Sequence, residues 1–203
     1  MLLDLKELHK KYNLDIKGII HIGAHQGEEY ETYRQLGVDN LLFFEPILES
    51  YEITRKNVKG IVVNKALGNF NGKANLYIAS NGASSSLLEP DLHRIQYPNI
   101  TFDKTIRVNV VRLDDFLETI LPCTEYNFIN IDVQGYELEV FKGSIKTLKN
   151  IDYIMTEVNR AELYKDCVQL TELDEFLKEY NFNRVETYWA GKTWGDAFYV
   201  KEK

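Results

Sequence analysis

Cysteine is nearly absent. The 203-residue chain holds two, Cys123 and Cys167, far apart and at no metal-ligand spacing from its four histidines, His9, His21, His25 and His93. That argues against a disulfide framework or a zinc centre. Also missing is any concentration of positive charge. With 24 Lys and Arg against 31 Asp and Glu the formal net charge is −7 at pH 7, which repels a phosphate backbone, so nucleic acid is not the expected partner. No apolar run approaches the ~20 residues that cross a bilayer. The opening "MLLDLKELHKKYNL" places Asp4, Lys6 and Glu7 where a signal peptide would be apolar. The expectation is a soluble, cytoplasmic protein with no membrane span. No internal repeat or low-complexity tract is visible.

What is present suits one core. A hydrophobic content of 44% over this length predicts a single domain across residues 1–203. Residues 1–17 read as an amphipathic helix carrying Leu5, Leu8 and Tyr12. Buried strands follow in "GIIHIGA", "NLLFFEP", "GIVVNKAL", "ANLYIAS", "TIRVNVV", "YNFINID" and "DYIMTEV". Between them lie helical spacings: Tyr30, Tyr33 and Leu36 ending at Gly37; Ile47, Leu48, Tyr51 and Val58; a short helix capped by Asp114 or Asp115; and a stripe of Leu138, Phe141, Ile145 and Leu148. Thr171 and Asp174 form a capping-box pattern before another helix. "FNRVETYW" and "GDAFYVK" then read as an antiparallel pair at the sheet edge. Strands alternating with helices predict a parallel α/β sheet covered on both faces. Residues 81–104, with three consecutive serines and two prolines, show no period and read as a long loop, a feature that in compact domains usually carries function.

Ligands of such sheets bind outside the carboxyl ends of the strands. At the first exit, "HIGAHQGEE", the small residues Gly23, Ala24 and Gly27 let a ligand approach the backbone and the helix start behind them. At the second, Glu45 stands where a carboxylate accepts hydrogen bonds from ribose hydroxyls, about 20 residues beyond the glycines as a nucleoside site requires. A dinucleotide is disfavoured, since the loop lacks G-x-G-x-x-G. Ala66 and Leu67 could flank a flat base at the third exit, Asp132 ends a later strand ahead of Gly135 and Glu137, and Glu157 projects to the same edge.

Together these segments resemble the FkbM family of S-adenosylmethionine-dependent methyltransferases. "HIGAHQGEE", "FFEP", "NKALGNFNG", "ASSSL", "VRLDDFL" and "NFINIDVQGYELEVFKG" occur in family order over about residues 18–160. The resemblance implies a class I, Rossmann-like methyltransferase fold: a seven-stranded, mostly parallel sheet with helices on both faces and an antiparallel C-terminal strand. It implies transfer of a methyl group to a hydroxyl, often on a sugar or polyketide. By the same resemblance Gly23, Ala24 and Gly27 pass along the methionine half of S-adenosylmethionine, Glu45 binds its ribose, the region of Ala66 and Leu67 borders adenine, and Asp132 lies beside sulfonium and acceptor. His21 departs from the family, which commonly has an acid there; a neutral imidazole could accept a bond from the cofactor's amino group, and an imidazolium would repel it.

Methyl transfer asks the protein to align the acceptor oxygen and receive its proton. Asp132 is the leading candidate base, with His25 and His93 as alternatives. Ser84, Ser85, Ser86, His93, Arg94 and Tyr97 of the long loop, with Glu157, suit a polyhydroxylated small-molecule or glycan acceptor. Tyr188, Trp189 and Trp194 could add a stacking platform. A divalent metal joining Asp132, Glu157 and Asn159 is a minority expectation. Two other functions compete: a non-catalytic nucleoside-binding module of the same fold, and a nicotinamide-dependent oxidoreductase.

Overall fold

A computed structural model describes residues 1–120 and 126–202, without the side chain of Ile120. Cys123 lies outside the described residues. The elements run α1 (Leu5–Tyr12), β1 (Ile19–Ile22), α2 (Tyr30–Gln35), β2 (Leu41–Phe44), α3 (Leu48–Asn57), β3 (Ile61–Val63), β4 (Ala66–Leu67), β5 (Gly72–Ile78) and α4 (Leu92–Gln96). They continue through β6 (Lys104–Val111), α5 (Leu113–Ile120), β7 (Phe128–Ile131), α6 (Glu137–Lys142), β8 (Tyr153–Asn159), α7 (Leu170–Glu179), β9 (Phe182–Ala190) and β10 (Trp194–Lys201).

Seven strands form one sheet in the order β3-β2-β1-β7-β8-β10-β9. β1 pairs in parallel with β2 and β7, and β10 pairs antiparallel with both β8 and β9. The seven-stranded, mostly parallel expectation therefore holds, and C-terminal β10 is the antiparallel strand; it is inserted between β8 and β9, so the antiparallel pair β10-β9 closes that edge of the sheet. Both faces are covered, as the uninterrupted apolar runs demand. Ile20, Ile22, Ile129 and Ile131 point into one layer with Leu117, Phe141 and Leu173 of the helices. Ile19, Phe43, Phe128 and Met155 point into the other, with Leu5, Leu8 and Tyr33.

Several local expectations are corrected. The first helix spans Leu5–Tyr12 and not 1–17, because Asp4 Oδ1 accepts from the amides of Lys6 and Glu7 and fixes its start. "GIVVNKAL" is two strands: Asn64 turns aside to donate Nδ2 to the carbonyls of Glu45 and Pro46. Ala66–Leu67 then joins a separate three-stranded sheet, β4-β6-β5. Residues 81–104 contain the short helix α4 and are tied down by bridges from Ser86 to Tyr77 and from Pro90 to Tyr164. The stripe through Leu138, Phe141, Ile145 and Leu148 breaks at Gly143, where α6 ends and a 3-10 turn, Thr147–Asn150, follows. Asp114 does not cap its own helix; it accepts from the amides of Lys146 and Thr147 and holds that turn. Thr171 lies inside α7, whose N-cap is Gln169, and Asp174 pairs instead with Arg184 and the Tyr199 hydroxyl.

Candidate active site

The chain leaves β1 toward β2 and β3 and returns through β7, so the strand order reverses between β1 and β7. That is where an open α/β sheet makes its crevice. Gly23 follows β1 with φ +80°, and a Cβ there would sit 2.0 Å from the carbonyl oxygen of Asp132. Only glycine lets the two strand exits meet. His25 takes φ +45° so that its amide donates to Glu45 Oε2 at 2.8 Å, while the Ile47 amide donates to Oε1 at 2.7 Å. Glu45 is buried, and among the described residues no Lys or Arg pairs with it. Burial pushes its carboxyl up to about 7. Each oxygen still has a lone pair free after accepting one amide.

Glu45 belongs to the lining of a first cavity, with Ile22, Ala66, Leu67, Leu76 and Tyr136 as its apolar walls. Gly23, His25, Ser85, Ser86 and Asp132 also line it. A second cavity, of about 290 Å³, is lined by Ser84, His93, Tyr97, Glu157 and Trp194, again with Asp132. Asp132 therefore stands on the wall between the two.

Gln134 organises that wall. Its φ is +57°, and its Nε2 donates to Asp132 Oδ1 and to Glu157 Oε2, each at 2.7 Å. The Tyr164 hydroxyl shares its proton between Gln134 Oε1 and the Ser84 carbonyl, and Ser86 Oγ donates to the Gln134 carbonyl. Burial beside Asp132 pushes the Glu157 carboxyl well above the usual carboxylate range. Glu137, fully buried, accepts from the amides of Val133 and Gly135 through Oε1 and shapes the loop from inside. The bridging amide occupies the space between Asp132 and Glu157 that a shared metal would need. Among the described residues no group of three or more His, Cys, Asp or Glu could hold a metal ion.

His21 lies in the layer beneath. Asn130 Nδ2 donates to the Tyr33 hydroxyl at 2.6 Å, so that hydroxyl is left to donate to His21 Nδ1 at 3.2 Å. The proton of the neutral ring then sits on Nε2, which faces Glu29 Oε2 at 3.9 Å. Burial lowers the His21 pKa despite Glu29. Folding thus takes up the neutral ring, while the unfolded chain protonates near the ordinary histidine value. Stability should fall as pH drops below ~6.5. In thermal melts between pH 8 and pH 5.5, His21→Gln should lose less stability on acidification than the wild type; parallel curves would show that His21 takes no part.

A family model described as the methyltransferase FkbM domain matches residues 21–184. The chain belongs to the FkbM methyltransferase family. Its relatives include the 2-O-methyltransferase NoeI of Sinorhizobium fredii, 29% identical over 180 residues, covering 80% of this chain and 71% of NoeI. A shorter match, 30% identical over 71 residues, joins 34% of the chain to 30% of the hexuronic acid methyltransferase AglP of Haloferax volcanii. Among solved structures, magnesium protoporphyrin IX methyltransferase from Synechocystis PCC 6803 with bound SAM superposes with TM-score 0.55 at 9% identity, covering 97% of this chain and 76% of that one. A putative tRNA methyltransferase from Streptococcus pneumoniae, in complex with S-adenosyl-L-methionine, gives TM-score 0.54 at 14% identity over 100% of this chain and 75% of that one. These likenesses show the Rossmann-like methyltransferase fold. No helix among the described residues is long and apolar enough to cross a membrane.

In this FkbM chain the residues anticipated from sequence are largely gathered. Gly23, His25, Glu45, Ala66, Leu67, Ser85, Ser86 and Asp132 share the first cavity. Ser84, His93, Glu157 and Tyr97 share the second with Asp132. His21 and Ala24 border a third hollow beside Asp132 and Glu29. Gly27 faces Thr54 of α3 and Val58 just after it and lines none of these, and Arg94 lies over the Phe102 ring, outside the first two cavities. Of the proposed platform, only Trp194 lines a cavity; Trp189 lies under Arg160 and Tyr188 is exposed. Sequence reasoning missed Gln134, whose one signal was its place before Gly135 in "DVQGYE".

Proposed function

We propose that the chain transfers the methyl group of S-adenosylmethionine to a hydroxyl oxygen of a sugar or glycan. The observation that carries this reading is Asp132 on the wall shared by an apolar, carboxylate-ended cavity and a polar, aromatic one. The name of one relative, a 2-O-methyltransferase, agrees with the oxygen acceptor, and that of the other, a hexuronic acid methyltransferase matched over 34% of the chain, agrees only with a sugar-derived one.

The residues present fit the cofactor. Glu45 retains acceptor capacity for two vicinal hydroxyls, and the walls of Ala66, Leu67 and Leu76 suit a flat apolar base. Asp132, Glu28 and Glu29, beside Gly23 and Ala24, outnumber the Met1 ammonium in the third hollow and give a negative surround suited to an ammonium and a sulfonium. When bound, the cofactor supplies a methyl group on positive sulfur, open to in-line displacement. The chain's task is then alignment and proton handling. Gln134 holds Asp132 by Oδ1, leaving Oδ2 to accept the proton of the acceptor hydroxyl. His25 is turned to Glu28, 2.7 Å from its Oε1, and serves the cofactor side. His93, whose pKa burial lowers, presents a neutral ring to the acceptor side.

Isothermal titration with S-adenosylmethionine tests the pocket. Glu45→Ala should weaken binding ~10–100-fold, the loss of one or two hydrogen bonds to a charged group. Glu45→Gln, which keeps the shape and one acceptor, should weaken it less. Absence of binding to the wild-type chain would reject the reading, as would Glu45 variants that bind normally.

A further inference from the structure

The second cavity carries a charge signature that the acceptor must match. Its volume of about 290 Å³ lies at the lower end of small-molecule sites, ~300–1,000 Å³, which suits one sugar ring. No Lys or Arg is among its lining residues, although Asp132 and Glu157 are. Asp196 pairs with Glu157 across β10 and β8 and is buried on the same face. Arg94 and Arg160, on the flanking segments, lie over the rings of Phe102 and Trp189 at 5.3 and 3.4 Å from the centroids, and neither lines the cavity. The Met1 ammonium, on a residue of the lining, is held by Glu29 Oε1 at 3.5 Å and also faces the carboxyls of Asp132 and Asp196.

Two buried polar side chains in or behind this cavity have atoms with no hydrogen-bond partner among the described residues. His93 is 3% exposed, lines the cavity, and its Nδ1 has no hydrogen bond. Asn159 is fully buried, and neither its Oδ1 nor its Nδ2 has a partner. It pairs with Trp194 and stands two residues beyond Glu157 on β8, so it lies on the face from which both line the cavity, behind the lining and not part of it. Buried donors and acceptors left unmade are costly. A hydroxyl, which both donates and accepts, answers each of them, whereas a carboxylate answers only donors.

We propose that this cavity selects an uncharged sugar ring over the corresponding uronate, with His93 recognising a hydroxyl and Asp132 facing the one that reacts. The proposal rests on the acceptor reading given above. A uronate would have to shed water beside Asp132, where the Met1 ammonium is already shared by the carboxyls of Asp132, Glu29 and Asp196, in a site whose clustered carboxyls disfavour further negative charge.

Three acceptors of one sugar series test it: methyl hexopyranosides, the matching hexuronides, and the methyl esters of those hexuronides, each with labelled S-adenosylmethionine and the wild-type chain. In at least one series the hexoside and the ester should be methylated with kcat/KM ~100-fold or more above the free acid. Turnover of the acid equal to its neutral counterparts would overturn the proposal. So would an ester as poor as the acid, since size and not charge would then decide. If no member of any series is methylated while the cofactor binds, the sugar reading fails and this proposal with it. Ile100→Arg, which places a cation on the lining outside the proposed machinery, should narrow the ester-to-acid ratio at least tenfold; an unchanged ratio would also count against charge selection.

Discussion

Asp132→Asn is expected to lower kcat by ~10²–10⁴-fold, the usual contribution of a positioned general base, with a change in S-adenosylmethionine affinity of less than about tenfold. The asparagine fills the same volume and keeps the backbone bond from residue 132 to the Ile22 carbonyl. What changes is polarity. Gln134 Nε2 donates to Oδ1, so the substituted amide keeps its oxygen toward Gln134 and turns its NH2 toward the acceptor. A donor then faces a hydroxyl that must lose its proton. Single-turnover methyl transfer separates this from slow product release. A kcat within a few-fold of wild type would move the proton acceptor elsewhere, and the alanine variants of His25 and His93 would then identify it.

How much of this was legible beforehand depends on what each residue does alone. Gly23 and Glu45 could be read because their chemistry is local: a glycine where the backbone must take positive φ, and an acid at a strand end. Gln134 could not. It neither titrates nor breaks a pattern, and its role exists only because β7 and β8 are neighbours and place Asp132 and Glu157 within reach of one amide. The split of "GIVVNKAL" was hidden for a similar reason, since the side chain that turns Asn64 out of the strand finds its acceptors at Glu45 and Pro46. The glycine where α6 ends answers to tertiary structure too: a Cβ at Gly143 would lie 2.0 Å from the carbonyl oxygen of Gly68, just after β4. Periodicity saw an uninterrupted stripe because it counts side chains and not the backbone passing over them. The reading of 81–104 as a loop missed α4, and the burial of His93 against Tyr97, Phe102 and Tyr164 depends on one ring, that of Tyr164, which is far along the chain.

The largest stability effect is expected at Gly23. Its φ of +80° alone disfavours an L side chain by ~1–2 kcal/mol. Gly37→Ala provides the measure of that cost, since Gly37 has φ +75° and nothing within 4 Å of an added Cβ. At Gly23 the Cβ would lie 2.0 Å from the Asp132 oxygen and 3.0 Å from its carbonyl carbon. These are backbone atoms, so no rotamer change relieves the contact, and the two strand exits must separate. Overpacking of this kind adds ~1–3 kcal/mol or more. With ~2–4 °C lost per kcal/mol in a domain of this size, Gly37→Ala should lower Tm by a few degrees and Gly23→Ala by ~10 °C or more. The folded fraction of Gly23→Ala should also lose methyl transfer, because the separation carries Asp132 away from its wall. Equal melting shifts for the two variants would mean that the β1 and β7 exits yield without cost. The alignment of Asp132 between the two cavities would then have to come from Gln134 and Glu137 alone, and Gln134→Ala, not Gly23→Ala, would become the variant that abolishes turnover.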